Sequence, residues 1–355
     1  MMHLILVINI GSTSTKVGLF SDKDVLFKKT INHTAKDLGQ LHGYDAWLLF
    51  HRDTIEKVSE KHEHKFGRLD LVVSRGGLTK PVEGGAYLIN DAMLHDLRFG
   101  KYGWHPSNVG PAIAYEMAKG LEAKAIIYDS PVADEMESLA RVSGLKGIER
   151  KAAFHALSQK SAAKKAAEKL GIHYNQGHFI VAHLGGGITI CAHKKGRIID
   201  GTHGLSEGPF TPQRTGALPL LDVLSLFYST GLTEEELSRM LYSQGGMRSY
   251  LGTHDIAAVE QQARSGSNEA KILLEAMGYQ ISKGICSMAA VLKGRLSAVV
   301  LTGNLCRAKT IVKEIQDRTN FLGPLLIYPG EDELGSLAFG GLAVLRGYEI
   351  TKVYE

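Results

Sequence analysis

At 355 residues the chain is long for one core and comfortable for two domains. Its 44% apolar and 22% charged content is the balance of an ordinary globular protein. The formal charge is only +4, carried by scattered Lys and Arg residues with no basic block, which argues against a nucleic-acid partner or a membrane surface.

In chain order, short β-branched runs at Leu4–Ile8, Val17–Phe20 and Val25–Ile31 predict strands, followed by a helical periodicity over Leu41–Lys61 and a strand at Leu69–Ser74. A helix over Asn108–Lys119, a strand at Ala125–Tyr128 and a helix over Glu149–Leu170 come next. Strands at Phe179–His183, Ile188–Ala192 and Arg197–Asp200 lead to helices over Glu234–Tyr242 and Glu269–Lys293. A strand at Ala298–Leu301, a helix over Ala308–Arg318, a strand at Leu325–Tyr328 and a last helix with Ser336, Ala338, Gly340 and Gly341 on one face complete the pattern. Strands alternating with helices predict an α/β class with mixed or parallel sheets. The apolar start Leu4–Ile8 is too short for a signal peptide, and no apolar run reaches about 20 residues, so no membrane span is expected. Cys191, Cys286 and Cys306 are far apart, show no metal-ligand or disulfide framework, and suit packing roles in a reducing cytoplasm.

The stretch LILVINIGSTSTKVGLF near the start is echoed from His178 by HFIVAHLGGGITICAHKKGRIID. In each, an apolar strand ends in a polar residue (Asn9, His183), then one apolar residue and a Gly-led turn (Gly11, Gly185). A second strand follows, and a third after a charged turn (Ser21–Asp24, Lys194–Gly196). A hairpin with a Gly- and hydroxyl-rich loop, repeated half a chain apart, predicts two similar domains with the ligand between them.

The segment Asn9-Ile10-Gly11-Ser12-Thr13-Ser14-Thr15-Lys16 combines a glycine that lets backbone approach an anion, four hydroxyl donors and a point charge. A plain polar turn is the competing reading. It is not a Walker loop, because Gly100-Lys101 is followed by Tyr102. In His183-Leu184-Gly185-Gly186-Gly187, three glycines are entropically costly unless backbone must pass close to something bulky, and His183 would face the same anion. Arg75, in Ser74-Arg75-Gly76-Gly77, and Arg214, in the Pro/Gly loop 208–216, could grip a transferring phosphoryl group from two sides. Asp129 follows a strand, where catalytic acids of α/β sheets sit, with a helix cap for the following segment as a strong competing reading. The run Tyr328-Pro329-Gly330-Glu331-Asp332-Glu333 clusters acids before a helix, for capping or for Mg²⁺. Two resemblances are set aside. His51-Arg52-Asp53 has Val58 where a protein-kinase loop needs Asn, and His62-Glu63-His64 lacks zinc-helix spacing. The sequon at Asn32-His33-Thr34 means little in a cytoplasmic protein.

Taken in order, these segments resemble the acetate and butyrate kinase family of the actin-like and sugar-kinase superfamily, most closely its butyrate kinase branch. The resemblance spans essentially the whole chain. Besides the segments above it rests on Arg75-Gly76-Gly77-Leu78 with Lys80-Pro81, Asn90-Asp91-Ala92-Met93-Leu94, Glu149-Arg150-Lys151 and Phe154-His155-Ala156-Leu157. It continues through Gly208-Pro209-Phe210, Tyr250-Leu251-Gly252-Thr253 and Met288 to Gly294. It implies two actin-like (ribonuclease H-like) domains with a nucleotide cleft between them. Residues 1–150, completed by the helix 333–355, would form one, and residues 151–332 the nucleotide-binding other. By position it implies phosphate or nucleotide contacts at Asn9, Ser12, Ser14, Lys16, Gly185, Gly186, Gly187 and Gly303. It implies catalytic roles for Arg75, Asp129, His183 and Arg214, and substrate-site histidines at His105 and His155. The metal-linked acid falls at Asp332 in an ungapped alignment, with Glu331 the alternative, and Asn9 beside it. Asn304, where a second glycine is usual, and Ser206, where an Asp-containing segment is usual, depart from the pattern.

The implied activity is reversible, direct in-line transfer from ATP to a short-chain fatty acid, giving an acyl phosphate and ADP, with Mg²⁺. A carboxylate is already ionised at neutral pH, so alignment and charge neutralisation carry the work. The resemblance also implies a homo-oligomer. Acetate or propionate as substrate, and a non-enzymatic ATP-dependent switch of the same superfamily, are the competing readings.

Overall fold

The computed structural model describes residues 2–60 and 68–355, so His62-Glu63-His64 lies outside the described residues. The chain divides into two compact units, Met1–Asp134 with Asp332–Glu355, and Glu135–Glu331.

In the first unit β1 (Leu4–Ile10), β2 (Ser14–Ser21) and β3 (Asp24–Asn32) form an antiparallel meander. Beside β1 run β4 (Leu71–Ser74) and β6 (Lys124–Tyr128), both parallel to it, with β5 (Ala86–Leu88) antiparallel to β6. Residues 5–10 of β1 are buried on both faces, as expected of a strand covered from two sides. One face, with Leu6, Ile8 and Ile10, packs on Met93 and Leu97 of the helix Asp91–Arg98 and on Ile113 and Ala114 of the helix Gly110–Gly120. The other receives the helix Glu333–Leu345, whose small residues let it lie flat. A Cβ on Gly340 would stand 2.4 Å from the Tyr128 ring, and one on Gly341 2.8 Å from Val73 Cγ2.

The second unit repeats the plan. β7 (His178–Leu184), β8 (Ile188–Lys194) and β9 (Arg197–Gly201) form the meander, and β10 (Ala298–Gly303) and β11 (Leu325–Pro329) run parallel to β7. With β12 (Lys352–Val353) at the edge of the first sheet, the orders are β12-β5-β6-β4-β1-β2-β3 and β11-β10-β7-β8-β9. The core of each sheet is therefore third-second-first-fourth-fifth, and the hairpin similarity read from the sequence is the opening of the same fold twice. Ile180, Ala182 and Leu184 of β7 face the long helix Asn268–Val291, while Phe179 and Val181 face the alanine side of the helix Ala156–Lys169.

Differences from the sequence reading have local causes. The helix expected over Glu149–Leu170 begins only at Ala156. Arg150 is drawn away to Glu207, Asp200 and the carbonyls of Ala140 and Gly201, which holds the preceding segment irregular. Strands β5 and β12, with three and two residues, are too short to show a period. The helix Leu220–Thr230 is apolar around most of its circumference, yet none of its residues is buried. Among the described residues no helix is long and apolar enough to cross a membrane.

Candidate active site

In the first unit the antiparallel register sets Asn9 opposite Lys16, so both side chains leave the same face of the sheet. The Gly11 N–H closes the turn on Ser14 O at 2.9 Å, leaving Ser12 exposed at its tip. Both side chains converge on Glu333, the first residue of the C-terminal helix. Asn9 Nδ2 donates to Oε2 at 2.9 Å and Lys16 Nζ at 2.6 Å, while Arg75 Nη1 stands 3.3 Å from Oε1. One largely buried carboxylate thus gathers donors from β1, β2 and the loop directly after β4.

Glu333 was not among the residues singled out from the sequence, which stopped at Glu331 and Asp332. Its signal was present as the third acid of that run, but sorting adjacent acids requires knowing where the helix starts. Asp332 is the helix N-cap, accepting the Gly335 N–H at 2.9 Å, and pairs with Lys28 Nζ at 2.8 Å. Asp129 is buried at a positive φ of 42° and accepts the Gly85 N–H at 2.8 Å, which ties the β6 end to the loop before β5. His105 caps the turn Pro106–Val109, with Nδ1 accepting the Ser107 N–H at 3.1 Å, which leaves the ring proton on Nε2. Burial, with the charge of Arg75, lowers its pKa, so the ring is neutral at pH 7.

In the second unit His183 ends β7 with Nε2 3.3 Å from Glu331 Oε1, and its ring stacks on His155 at 4.2 Å between centroids. His183 Nδ1 is buried without a hydrogen-bond partner among the described residues. The glycine turn after β7 is needed sterically. A Cβ on Gly185 would sit 2.9 Å from Glu331 Oε1 and 3.0 Å from His183 Nε2, and one on Gly187 2.4 Å from Arg214 Nη1. Beside Gly186 there is open space. Arg214 Nη1 donates to Gly204 O at 2.7 Å, and Thr211 Oγ1 braces the loop by accepting the Arg214 N–H and donating to Gly186 O. Burial lowers the Arg214 pKa from its ordinary value.

Gly303 ends β10 at φ 99°, where a Cβ would lie 2.3 Å from Leu184 O. Next to these turns is a cavity of about 360 Å³, bounded by Gly185, Gly186, Gln213, Asn304 and Arg307 and by the start of the helix Ile256–Arg264. That is the size of a small-molecule site.

The second unit by itself suits a polyphosphate: an open glycine turn, an adjoining cavity, an orphaned buried imidazole nitrogen and the cation Arg214. Among the described residues no three His, Cys, Asp or Glu side chains gather to hold a metal by themselves. A metal here would take one or two carboxylates and complete its shell with phosphate oxygens and water, the usual arrangement for Mg²⁺.

The fold is that of kinases built on actin-like domains. It resembles the acetate kinase of Porphyromonas gingivalis, with a TM-score of 0.77 and 18% identity over 97% of this chain and 100% of that one. It resembles a propionate kinase from Francisella tularensis at 0.72 and 22%, over 96% and 99% of the chains. A ROK hexokinase from Thermus thermophilus aligns at 0.52 and 14%, over 97% and 99%. Residues 138–327 match the model of the Acetokinase family, and the chain belongs to that family. Membership indicates a phosphotransferase acting on a carboxyl group.

Proposed function

We propose that the protein transfers the γ-phosphoryl group of ATP to the carboxylate of butyrate or a branched analogue, reversibly, giving an acyl phosphate and ADP. The observation that carries this reading is the cluster at the second glycine turn. There Arg214, His155 and His183 stand together beside a cavity, and among the described residues the Arg214 guanidinium is held by a carbonyl rather than by an acid.

In this reading Ser12, Ser14, Lys16 and the turn 185–187 bind phosphate, and Gly303 passes under the nucleoside. The substrate carboxylate needs no base. Arg75, Arg214 and His183 neutralise charge that spreads over the transferring oxygens, and His105 and His155 orient the acid. Asn9 with Asp332 or Glu331 would hold Mg²⁺, whose charge offsets that of the phosphates. Asp129 acts by fixing its loop. Glu333 keeps Asn9, Lys16 and Arg75 gathered when no phosphate is present.

The reading also takes residues 1–150 with the C-terminal helix, and 151–332, as two actin-like domains serving one reaction in a cytoplasmic homo-oligomer. The uncovered apolar helix Leu220–Thr230 supports the last point. Acetate and propionate are the competing acids, because each methylene contributes only about 0.8 kcal/mol of burial and discrimination is graded.

The test is incubation with ATP, Mg²⁺ and a panel of C2 to C5 acids in hydroxylamine, which traps acyl phosphate as hydroxamate. Butyrate or isobutyrate should give the highest kcat/KM. A higher value for acetate would overturn the chain-length assignment, and ATP binding without hydroxamate from any acid would leave the non-enzymatic switch.

A further inference from the structure

Five side chains of the second unit form one unbroken hydrogen-bonded row. Tyr174 Oη lies 2.7 Å from His193 Nδ1, and His193 Nε2 lies 3.1 Å from Gln159 Oε1. Gln159 Nε2 lies 2.9 Å from Thr189 Oγ1, and Thr189 Oγ1 lies 3.0 Å from His155 Nδ1. Tyr174 comes from the turn before β7, Gln159 and His155 from the helix Ala156–Lys169 and its start, and Thr189 and His193 from β8. The row runs along one face of this sheet, between β8 and the helix Ala156–Lys169, and ends at the ring stacked on His183.

The proton positions follow from one fixed point. Gln159 Nε2 also donates to the Thr189 carbonyl at 2.9 Å, and a carbonyl only accepts, so the amide nitrogen must face Thr189 and the amide oxygen His193. His193 therefore carries its proton on Nε2, and its Nδ1 accepts from the Tyr174 hydroxyl. Complete burial, helped by the charge of Lys160, pushes the His193 pKa down to about 3, so the ring stays neutral. The Thr189 hydroxyl is fully buried and already accepts from Gln159. Among the described residues, the acceptor in reach of its own proton is His155 Nδ1. Leaving that donor unmade would cost about 1–3 kcal/mol.

We propose that this row fixes His155 as the Nε2–H tautomer, a preset hydrogen-bond donor for an anionic oxygen beside Gly187 and Arg214, and that Thr189, Gln159 and His193 are positioning residues for it. The ring edge agrees: His155 Cε1 would lie 3.3 Å from a Cβ on Gly187. The consequence for turnover rests on the proposed carboxylate kinase activity, while the tautomer itself does not. Sequence reading named His155 but not its supports, because nothing in their spacing marks residues that meet only through packing.

The experiment is long-range ¹H–¹⁵N correlation of histidine-labelled protein at neutral pH, with the His155 signals assigned from their loss in His155→Gln. The expected result is an unprotonated Nδ1 and a protonated Nε2 on His155. Thr189→Val, which keeps the side-chain shape but removes the hydroxyl, should shift His155 toward Nδ1–H and lower kcat by roughly tenfold or more with little change in nucleotide KM, and Thr189→Ser should restore both. A protonated Nδ1 in the parent protein, or an unchanged tautomer in Thr189→Val, would overturn the proposal. The predicted tautomer in a protein that forms no acyl phosphate would sustain the tautomer claim and refute the kinase reading.

Discussion

Replacing Gly187 by Ala adds one methyl group and removes no functional group, yet it should nearly abolish turnover. The new Cβ would stand 2.4 Å from Arg214 Nη1 and 3.1 Å from Cζ, inside ordinary contact distance, so the guanidinium must retreat by about 1 Å. The fold should tolerate this. Gly187 does not occupy the left-handed region, the obstructing atoms end a flexible side chain, and Ala restricts the unfolded chain more than Gly. The loss is the bond from Nη1 to Gly204 O, about 1 kcal/mol, offset in part by that entropy. A 1 Å displacement of a group that stabilises the transition state costs about 100-fold in rate. Hydroxamate initial rates should therefore show kcat down by about two orders of magnitude, with a melting temperature within a few degrees of the parent. A kcat within about threefold of the parent would mean that the Arg214 position does not matter to the chemistry, and the assignment would fail.

Other expectations follow from the same structure. Glu333→Gln removes the charge that gathers Lys16 and Arg75, and should cost about 1–3 kcal/mol in denaturant unfolding while lowering kcat; unchanged stability would show the cluster to be incidental. Gly303→Ala forces a Cβ to 2.3 Å from a backbone oxygen at positive φ and should cost more than about 3 kcal/mol, read as a large fall in melting temperature or loss of soluble protein. His193 takes a proton near pH 6.5 when unfolded but only at about 3 when folded, so its contribution is complete above pH 6.5. It is lost on acidification at about 1.4 kcal/mol per pH unit. Urea midpoints measured between pH 7 and 5 should fall less steeply in His193→Gln. Finally, the proposed homo-oligomer predicts a parent sedimentation coefficient above the monomer value that falls to it in Leu221→Glu with Tyr228→Glu, both highly exposed on the apolar helix; a monomeric parent would refute the oligomer, and an oligomer unchanged by the substitutions would exclude that helix from its interface.

Much of the fold was legible because its elements carry their own period. The two Gly-led hairpins announce themselves by strand, turn and strand, and their shared sheet order explains the similarity. Arg75, His183 and Arg214 stood out as candidates in the sequence because arginines and histidines beside glycine turns have few structural explanations. What was not legible depends on the third dimension. Glu333 rather than a neighbouring acid meets Lys16, because Asp332 is used as the cap and sets the helix phase. Arg150 breaks an otherwise helical pattern only because Glu207 and Asp200 lie within reach. Thr189, Gln159 and His193 look like ordinary core residues until a strand and a helix bring them into line.

Attack of a carboxylate oxygen on the γ-phosphorus of ATP can be followed by ³¹P NMR with ¹⁸O-labelled butyrate, ATP and Mg²⁺. The expected product is an acyl phosphate whose resonance is displaced slightly upfield by the ¹⁸O carried into the bridging position, with ADP formed in equal amount. Release of inorganic phosphate alone, or an acyl phosphate without label bonded to phosphorus, would contradict it.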